Sequence, residues 1–336
     1  MSSTKTSKPQ RVLVTGGAGF IGSHLVEALL REGHEVRVMD DLSTGRIENL
    51  AGPLDNPAFR FLRGSIMDER VLDIAAAECS VIVHLAAAVG VQLIVNKPVH
   101  TIETNVQGTE FLLKTALRHN ARLLIASSSE VYGKGHKIPF SEEDDLLLGS
   151  TSKSRWGYAA SKMLDEFLAL AYHREYGLPA VCFRLFNTIG PRQRGAYGMV
   201  VPRFMRSALN GEPITVYGDG TQSRCFCDVA DVVRAIQALI QASSVNGEVF
   251  NIGGPEEISI KELAERVIRV AGSRSTIRYM DYSEAYAPGF EDLKRRTPDT
   301  TKLNKAVGWS PQLSTEDALV RIRDWMKAEP KPETGS

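Results

Sequence analysis

Tyr158 and Lys162 stand four residues apart in Tyr158-Ala-Ala-Ser-Lys162, and helical spacing continues through Leu164, Phe167, Leu168 and Ala171. An i to i+4 spacing puts phenol and ammonium on one helix face. A free tyrosine has a pKa of about 10 and is a poor base at neutral pH. A neighbouring cation favours the phenolate, so Tyr158 could take a proton from a hydroxyl while hydride leaves the same carbon. Taken alone, the pair is equally an ordinary helix face. A second segment narrows the choice: Ser127-Ser128-Ser129-Glu130 comes directly after the apolar run Leu123-Leu-Ile-Ala126. Ligands in doubly wound sheets gather at the carboxyl ends of strands. A hydroxyl there could bond the oxygen that Tyr158 addresses.

The hydride needs an acceptor, and the amino-terminal segment supplies a place for one. Arg11-Val-Leu-Val-Thr15 reads as a buried strand, followed by Gly16-Gly17-Ala18-Gly19-Phe20-Ile21-Gly22 and a helical pattern to Arg31. Without that setting, glycines at 16, 19 and 22 would be a strand–helix turn and nothing more. In it, they let the backbone turn tightly and approach a pyrophosphate, which the helix amides and dipole favour. Gly16, Gly19, Phe20, Ile21 and Gly22 are therefore candidate dinucleotide-binding residues. The next strand pattern, Glu35-Val-Arg-Val-Met39, ends in Asp40-Asp41. A carboxylate there accepts from ribose hydroxyls and repels a 2′-phosphate, so NAD is expected rather than NADP. Asp40 is the candidate, with Asp41 a turn residue.

Phe59-Arg-Phe-Leu62, Val81-Ile-Val-His-Leu85, Leu123–Ala126 and Val181-Cys-Phe-Arg-Leu185 repeat the strand pattern, with helix-length sequence between the earlier ones. Strand and helix alternating in this way predict an α/β fold, a Rossmann-type doubly wound parallel sheet. Beyond about Gly190, turns are frequent and elements shorter: helical patterns fall near 200–209, 229–242, 260–271 and 315–326, with a short strand at Ile214–Tyr217. The expected organisation is a disordered terminus over 1–10 and a cofactor-binding domain over 11–190. A smaller mixed α/β substrate-binding region occupies 191–326, some of it returning to the first domain, and a loose tail occupies 327–336.

Composition bounds the function. The 336 residues are 43% apolar and 24% charged, with 40 basic and 40 acidic side chains, so no basic excess suggests a nucleic-acid partner. The polar opening MSSTKTSKPQ lacks an apolar signal core, and no uncharged stretch nears the roughly 20 residues of a membrane span. A cytoplasmic enzyme without membrane contact is expected. Cys79, Cys182, Cys225 and Cys227 are too scattered for a disulfide framework and make a poor metal site, so no metal is expected.

The Gly-x-x-Gly-x-x-Gly spacing resembles the short-chain dehydrogenase/reductase superfamily. Later segments resemble its extended branch, which acts on nucleotide sugars. The likeness runs from Val12 to about Trp309. It implies Ser128, Tyr158 and Lys162 as a catalytic triad with NAD. Gly64-Ser-Ile-Met-Asp68 matches the place where an aspartate meets the adenine amino group, although Asp68 could instead cap the helix beginning at Glu69. His84-Leu-Ala-Ala87 matches the segment where small residues such as Ala86 lie along the cofactor. Arg184-Leu-Phe-Asn187 is similar to the segment whose asparagine touches the nucleotide diphosphate. Ile214–Arg224 with Asp228-Val-Ala-Asp231 is similar to the nucleotide-sugar clamp. Arg224 and Arg296 are the cations expected near the diphosphate. Arg192 and Arg194 fit a substrate-binding role or a surface one.

The shared chemistry of that branch is transient C4 oxidation of the sugar, giving a 4-keto intermediate with three fates. Dehydratases carry Asp-Glu after the triad serine, whereas Ser129-Glu130 here resembles UDP-glucuronate decarboxylases. So do Lys153-Ser-Arg155-Trp156 and the segment Tyr286–Pro298 that contains Arg296. Ser129 and Glu130 accordingly join the catalytic candidates. The balance leans slightly to a UDP-glucuronate decarboxylase, with a UDP-sugar 4-epimerase as the alternative. A 4,6-dehydratase, or a dinucleotide-sensing regulator without chemistry, fits less well. Pro98–Arg118 carries Ile102, Val106, Leu113 and Leu117 on one stripe. With the Tyr158 helix it could form half of the intersubunit bundle of this branch's homodimers, or it could pack on its own sheet.

Overall fold

A computed structural model describes residues 8–90, 94, 96–195, 199–281, 284 and 293–329. Seven parallel strands form the central sheet: β1 (Arg11–Thr15), β2 (Glu35–Asp40), β3 (Phe59–Arg63), β4 (Val81–His84), β5 (Arg122–Ser128), β6 (Ala180–Leu185) and β7 (Val249–Ile252). Their spatial order is β3-β2-β1-β4-β5-β6-β7. The chain reverses direction across the sheet between β1 and β4, and the crevice at their carboxyl ends is where such sheets take ligands.

The strands are apolar on both faces because both faces are covered. On β1, Val12 and Val14 enter one core while Leu13 enters the other; on β5, Leu124 divides in the same way from Leu123 and Ile125. The first face carries α1 (Phe20–Arg31), whose Leu25, Val26 and Leu29 are buried, and α6 (Val229–Gln241). Leu303 of a short late helix, Thr301–Val307, joins the same core. The second face is covered by α2 (Glu69–Ala76), α3 (Pro98–Arg118) and α4 (Arg155–Tyr176) through Leu72, Leu112, Leu113, Ala116 and Ala169. A third core lies apart from the sheet. It joins α5 (Val200–Asn210), α7 (Ile260–Ala271) and the last helix, Thr315–Ala328, around Phe204, Leu263, Val267, Leu319 and Ile322.

Two expectations are corrected, and a choice the sequence left open is divided. The last helix runs past Lys327 to Ala328, anchored by Leu319 and Ile322, and Glu329 accepts from Arg194 at 3.0 Å; residues 330–336 lie outside the described residues. Gln10 is tied to the sheet, its amide donating to His34 Nδ1 at 3.1 Å and its carbonyl accepting from Glu35, while residues 1–7 lie outside the description. The stripe on α3 divides: Leu113 and Leu117 pack on the sheet, Val106 is half-buried and Ile102 is exposed. A residue every 3.6 positions cannot keep all four on the bundle side when the helix leans on the sheet at its far end. Among the described residues, no helix is long and apolar enough to cross a membrane. All four cysteines are buried free thiols.

The β1–α1 turn depends on missing side chains. A Cβ at Gly22 would stand 2.2 Å from the Gly16 carbonyl oxygen and 2.7 Å from Gly17 Cα, both backbone atoms with no room to yield. Gly22→Ala is therefore expected to lower stability by about 1–3 kcal/mol, read as a fall in the urea midpoint. An unchanged midpoint would contradict the close packing of this turn.

Candidate active site

β5 ends at Ser128, and a single 3₁₀ turn, Ser129–Tyr132, begins there. The Ser128 hydroxyl accepts from the Glu130 amide at 3.2 Å, satisfying a donor that the turn leaves open. This arrangement aims Ser128, Ser129 and Glu130 into one cavity. Helix α4 crosses it and supplies Tyr158 and Lys162, both buried, from the same face. The glycine turn borders the other end, with Gly16, Gly19, Phe20, Ile21 and Gly22 on its wall beside Asp40 and Ala86. The cavity measures about 810 Å³ and reaches the third core through Asn187, Arg192, Arg224 and Arg296.

The phenol does not titrate as its spacing alone predicts. Burial raises the Tyr158 pKa above the ordinary value, and the Lys162 charge and a hydrogen bond with Ser128 only partly oppose it. Lys162 favours the phenolate, as expected, but loss of hydration outweighs that one cation. Lys162 Nζ donates to Asp165 Oδ2 at 2.8 Å, three residues along the helix, and both side chains are buried.

Glu130 sits between two guanidiniums. Arg155 Nη2 lies 3.0 Å from one carboxylate oxygen and Arg296 Nη2 lies 2.7 Å from the other. Burial would raise this carboxyl, but the charges of Arg296 and Arg155 and their hydrogen bonds hold it down at about 2. It is ionised at neutral pH because two arginines hold it, not through Ser129. Ser129 is buried, and its hydroxyl faces Arg296 Nη1 at 3.5 Å.

At the cofactor end, Asp40 accepts from the Ala18 and Leu42 amides at 3.0 and 2.8 Å while burial raises its pKa. The carboxylate is fixed at the β2 terminus and borders the cavity, as a ribose partner must. Asp68 caps α2, Oδ1 accepting from the Arg70 and Val71 amides, and the residue is not itself on the cavity wall. Its neighbours Gly64, Ser65, Ile66 and Met67 do.

The remaining candidates are already engaged within the chain. Asn187 bridges to the Cys225 carbonyl at 3.2 Å. Arg192 pairs with Glu27 of α1 and takes a left-handed φ of +70°, while Arg194 pairs with Glu329. Arg224 is buried and donates to the Ser223 carbonyl at 2.7 Å. Sequence reasoning missed Arg155 and Asp165 as site residues. Each stands three positions from a residue it did single out, so helical adjacency to Tyr158 and Lys162 was the available signal. Of the resembling segment Tyr286–Pro298, residues 286–292 lie outside the described residues.

The family profile for NAD dependent epimerase/dehydratases matches residues 12–253. The chain is 42% identical to a UDP-N-acetyl-alpha-D-glucosaminuronate decarboxylase of Bacillus cytotoxicus, over 95% of this chain and 98% of that protein. It is 37% identical to UDP-glucuronic acid decarboxylase 1 of Arabidopsis thaliana, over 94% of this chain and 69% of that one. In structure it resembles the UDP-glucuronic acid 4-epimerase of Bacillus cereus, solved with UDP-glucuronic acid and NAD. The TM-score is 0.85 at 30% identity, covering 94% of this chain and 99% of the other.

The depressed Glu130 carboxyl has a consequence for stability. A carboxyl whose pKa is lower in the folded state stabilises the fold above its unfolded value, and that contribution disappears as pH falls to the folded value. For Glu130 the window runs from the ordinary 4.5 down to about 2. Glu130→Gln should flatten the acid dependence of stability in that window, measured by denaturant titration at stepped pH. An unaltered pH slope would mean that the two arginines do not hold the carboxylate in solution.

Proposed function

The chain belongs to the NAD dependent epimerase/dehydratase family, and on that premise we propose that it is a cytoplasmic, NAD-dependent decarboxylase of a UDP-linked uronic acid. The observation that carries this reading is the cluster Glu130–Arg155–Arg296 beside Tyr158. Two guanidiniums meet one carboxylate there, so the cluster keeps a positive charge for a substrate carboxylate. The decarboxylase relatives support the same reaction, and name both UDP-glucuronate and its 2-acetamido counterpart as substrates of this kind.

The residues present fit NAD. Gly16 has a left-handed φ of +71°, and a Cβ there would come 2.7 Å from the Ala86 nitrogen, so the wall is bare backbone where a pyrophosphate must approach. Gly19 caps α1 without a side-chain partner, leaving the first helix amides open to an anion. Asp40 suits the adenosine ribose and opposes a 2′-phosphate. When bound, NAD supplies the hydride acceptor, and later the donor, at C4 of the sugar.

The chain's own groups then divide the work. Ser128 and Tyr158 hold the C4 oxygen; Lys162 and the positive nicotinamide of bound NAD would favour the Tyr158 phenolate, which takes the proton as the carbonyl forms. The resulting C4 ketone stands β to the C6 carboxylate. The C5–C6 bond breaks, carbon dioxide leaves, and the electron pair passes into an enolate whose oxygen Ser128 and Tyr158 stabilise. C5 then takes a proton from solvent, and Tyr158 returns its proton to the C4 oxygen as the ketone is reduced. Glu130, kept ionised, repels the substrate carboxylate, and that repulsion vanishes as the negative charge leaves C6. Ser129 offers no acid to expel a C6 hydroxyl, which disfavours dehydration. A 4-epimerase is the second reading, supported by the similarity to the Bacillus cereus structure.

Incubation with UDP-glucuronate and UDP-N-acetylglucosaminuronate separates these readings. The expected product of decarboxylation is lighter by the mass of carbon dioxide; a product of equal mass with an inverted C4 would establish the epimerase instead. Tyr158→Phe should lose at least about 100-fold in kcat, on the order of 2.7 kcal/mol in barrier, while retaining NAD. Activity within tenfold of the parent would remove Tyr158 from the role of base.

A homodimer is part of the same proposal. α3 and α4 pack side by side and expose Val99 and Ile102 on one, and Leu164 and Phe167 on the other. Each pair is spaced i to i+3, so each forms one apolar face. A second copy of the chain is the proposed cover. Light scattering should give twice the 36.9 kDa chain mass, and Phe167→Glu should shift it toward the monomer. A parent that is monomeric at micromolar concentration would overturn this.

A further inference from the structure

Asp165 has no part in the chemistry just described, yet it is a wholly buried carboxylate within 2.8 Å of the Lys162 ammonium. We propose that Asp165 is a positioning residue that keeps Lys162 charged and directed at the Tyr158 phenol, so that the base depends on an aspartate that never touches substrate. This rests on the reading of Tyr158 as the base.

An ammonium without water gives up its proton unless an opposite charge replaces its hydration. Burial pulls Lys162 down, but the charge and hydrogen bond of Asp165, together with Tyr158, carry it above its ordinary value. Among the described residues, the other groups around the pair are committed elsewhere or uncharged. Glu166 on the same helix is bound to Arg184 of β6 by three hydrogen bonds of 2.7–3.2 Å. Cys182 of β6 stays a neutral thiol, because burial lifts its pKa well above the ordinary value. His84 of β4 is neutral, driven down to about 3 by burial and then by Lys162 itself. Its ring is held at 2.7 Å by Thr15 of β1. Glu130, beyond the phenol, is held by two arginines.

The aspartate also acts on the phenol directly, in the opposite sense. Its negative charge raises the Tyr158 pKa, as do burial and Glu130, while Lys162 and the hydrogen bond from Ser128 lower it. After burial, Lys162 is the largest influence on the phenol, ahead of Asp165. Removing Asp165 therefore loses more through the lysine than it gains by relieving repulsion. Without the aspartate, the phenol becomes harder to ionise.

The test reads Tyr158 without needing turnover. Ultraviolet phenolate titrations of the full-length protein with and without Tyr158→Phe give the Tyr158 ionisation by difference, first in the parent and then with Asp165→Asn. The Tyr158 titration should move up by at least about one pH unit in the Asp165→Asn background. In assays with the sugar nucleotide that turns over, the acidic limb of kcat should move the same way while KM changes less than about threefold. A titration that stays in place, or moves down, overturns the proposal. Should Asp165→Asn fail to fold, Lys162→Met gives a second route. Adding Asp165→Asn to it should leave the Tyr158 titration in place or move it down, since only the direct repulsion remains to be relieved. An upward shift there would show that the aspartate favours the phenolate without the lysine and would equally overturn the proposal. Failure to turn over any UDP-linked sugar would sink the functional reading instead, leaving the titration to judge Asp165.

Discussion

Charge can be kept inside a water-poor cavity only where other charges or dipoles replace its hydration. Three ionised groups around this cavity obey that constraint. Lys162 has Asp165, Glu130 has Arg155 and Arg296, and Asp40 has two backbone amides. Removing one member of a buried pair costs about 3–5 kcal/mol, several times the worth of an exposed ion pair. These partnerships are therefore constraints on where helices can sit as much as they are chemistry. If α4 slid along the sheet by one turn, the Arg155–Glu130 and Glu166–Arg184 pairings would both be lost.

The sheet explains why the groups converge. β1, β4 and β5 all end at the same edge, and each delivers its succeeding segment to the cavity: the glycine turn after β1, Ala86 after β4, Ser128–Glu130 at the end of β5. α4 must then lie across that edge, and it is fixed from both sides. Glu166 clasps Arg184 of β6 below it, and the buried Asn105 of α3 donates to Ser161 at 3.0 Å beside it. Asn105 also accepts from the Ala88 amide at 2.9 Å, so the segment after β4 and the helix carrying Tyr158 share one anchor. Substrate and cofactor ends of the cavity are held in register by these bonds.

The elements were legible in the sequence wherever a repeat of two or 3.6 residues had one core to face. β1, α1, α3 and the turn glycines come from pattern and turn chemistry alone. Ser128, Tyr158 and Lys162 stood out because strand end and helical spacing pointed to one place. What pattern could not show was pairing across the fold. Arg296 lies 167 residues from Ser129, and no local rule connects them; only the likeness to known sequences marked it. Asp165 looked like any exposed helix acid, and spacing alone left Asp68 between a helix cap and a cofactor contact. The direction of the Tyr158 shift was out of reach because it depends on how completely water is excluded, a property of the folded cavity rather than of spacing.

The identity of residue 129 carries the last step. Arg155 and Arg296 bring two positive charges, and Glu130 returns one negative charge, leaving a net positive cluster beside the sugar end of the cavity. Arg192 and Arg194 contribute little to it, since Glu27 and Glu329 neutralise them. On the proposed reading, the substrate carboxylate answers the remaining charge. An aspartate at 129 would stand where the serine hydroxyl now faces Arg296 at 3.5 Å, and it would cancel that charge. Such a site would suit a neutral C6 hydroxymethyl group, and only the protonated form of that aspartate could expel the hydroxyl. A serine instead satisfies Arg296 without discharging it. On this reading, the choice between losing water and losing carbon dioxide comes down to whether the short side chain beside Arg296 is a carboxyl or a hydroxyl.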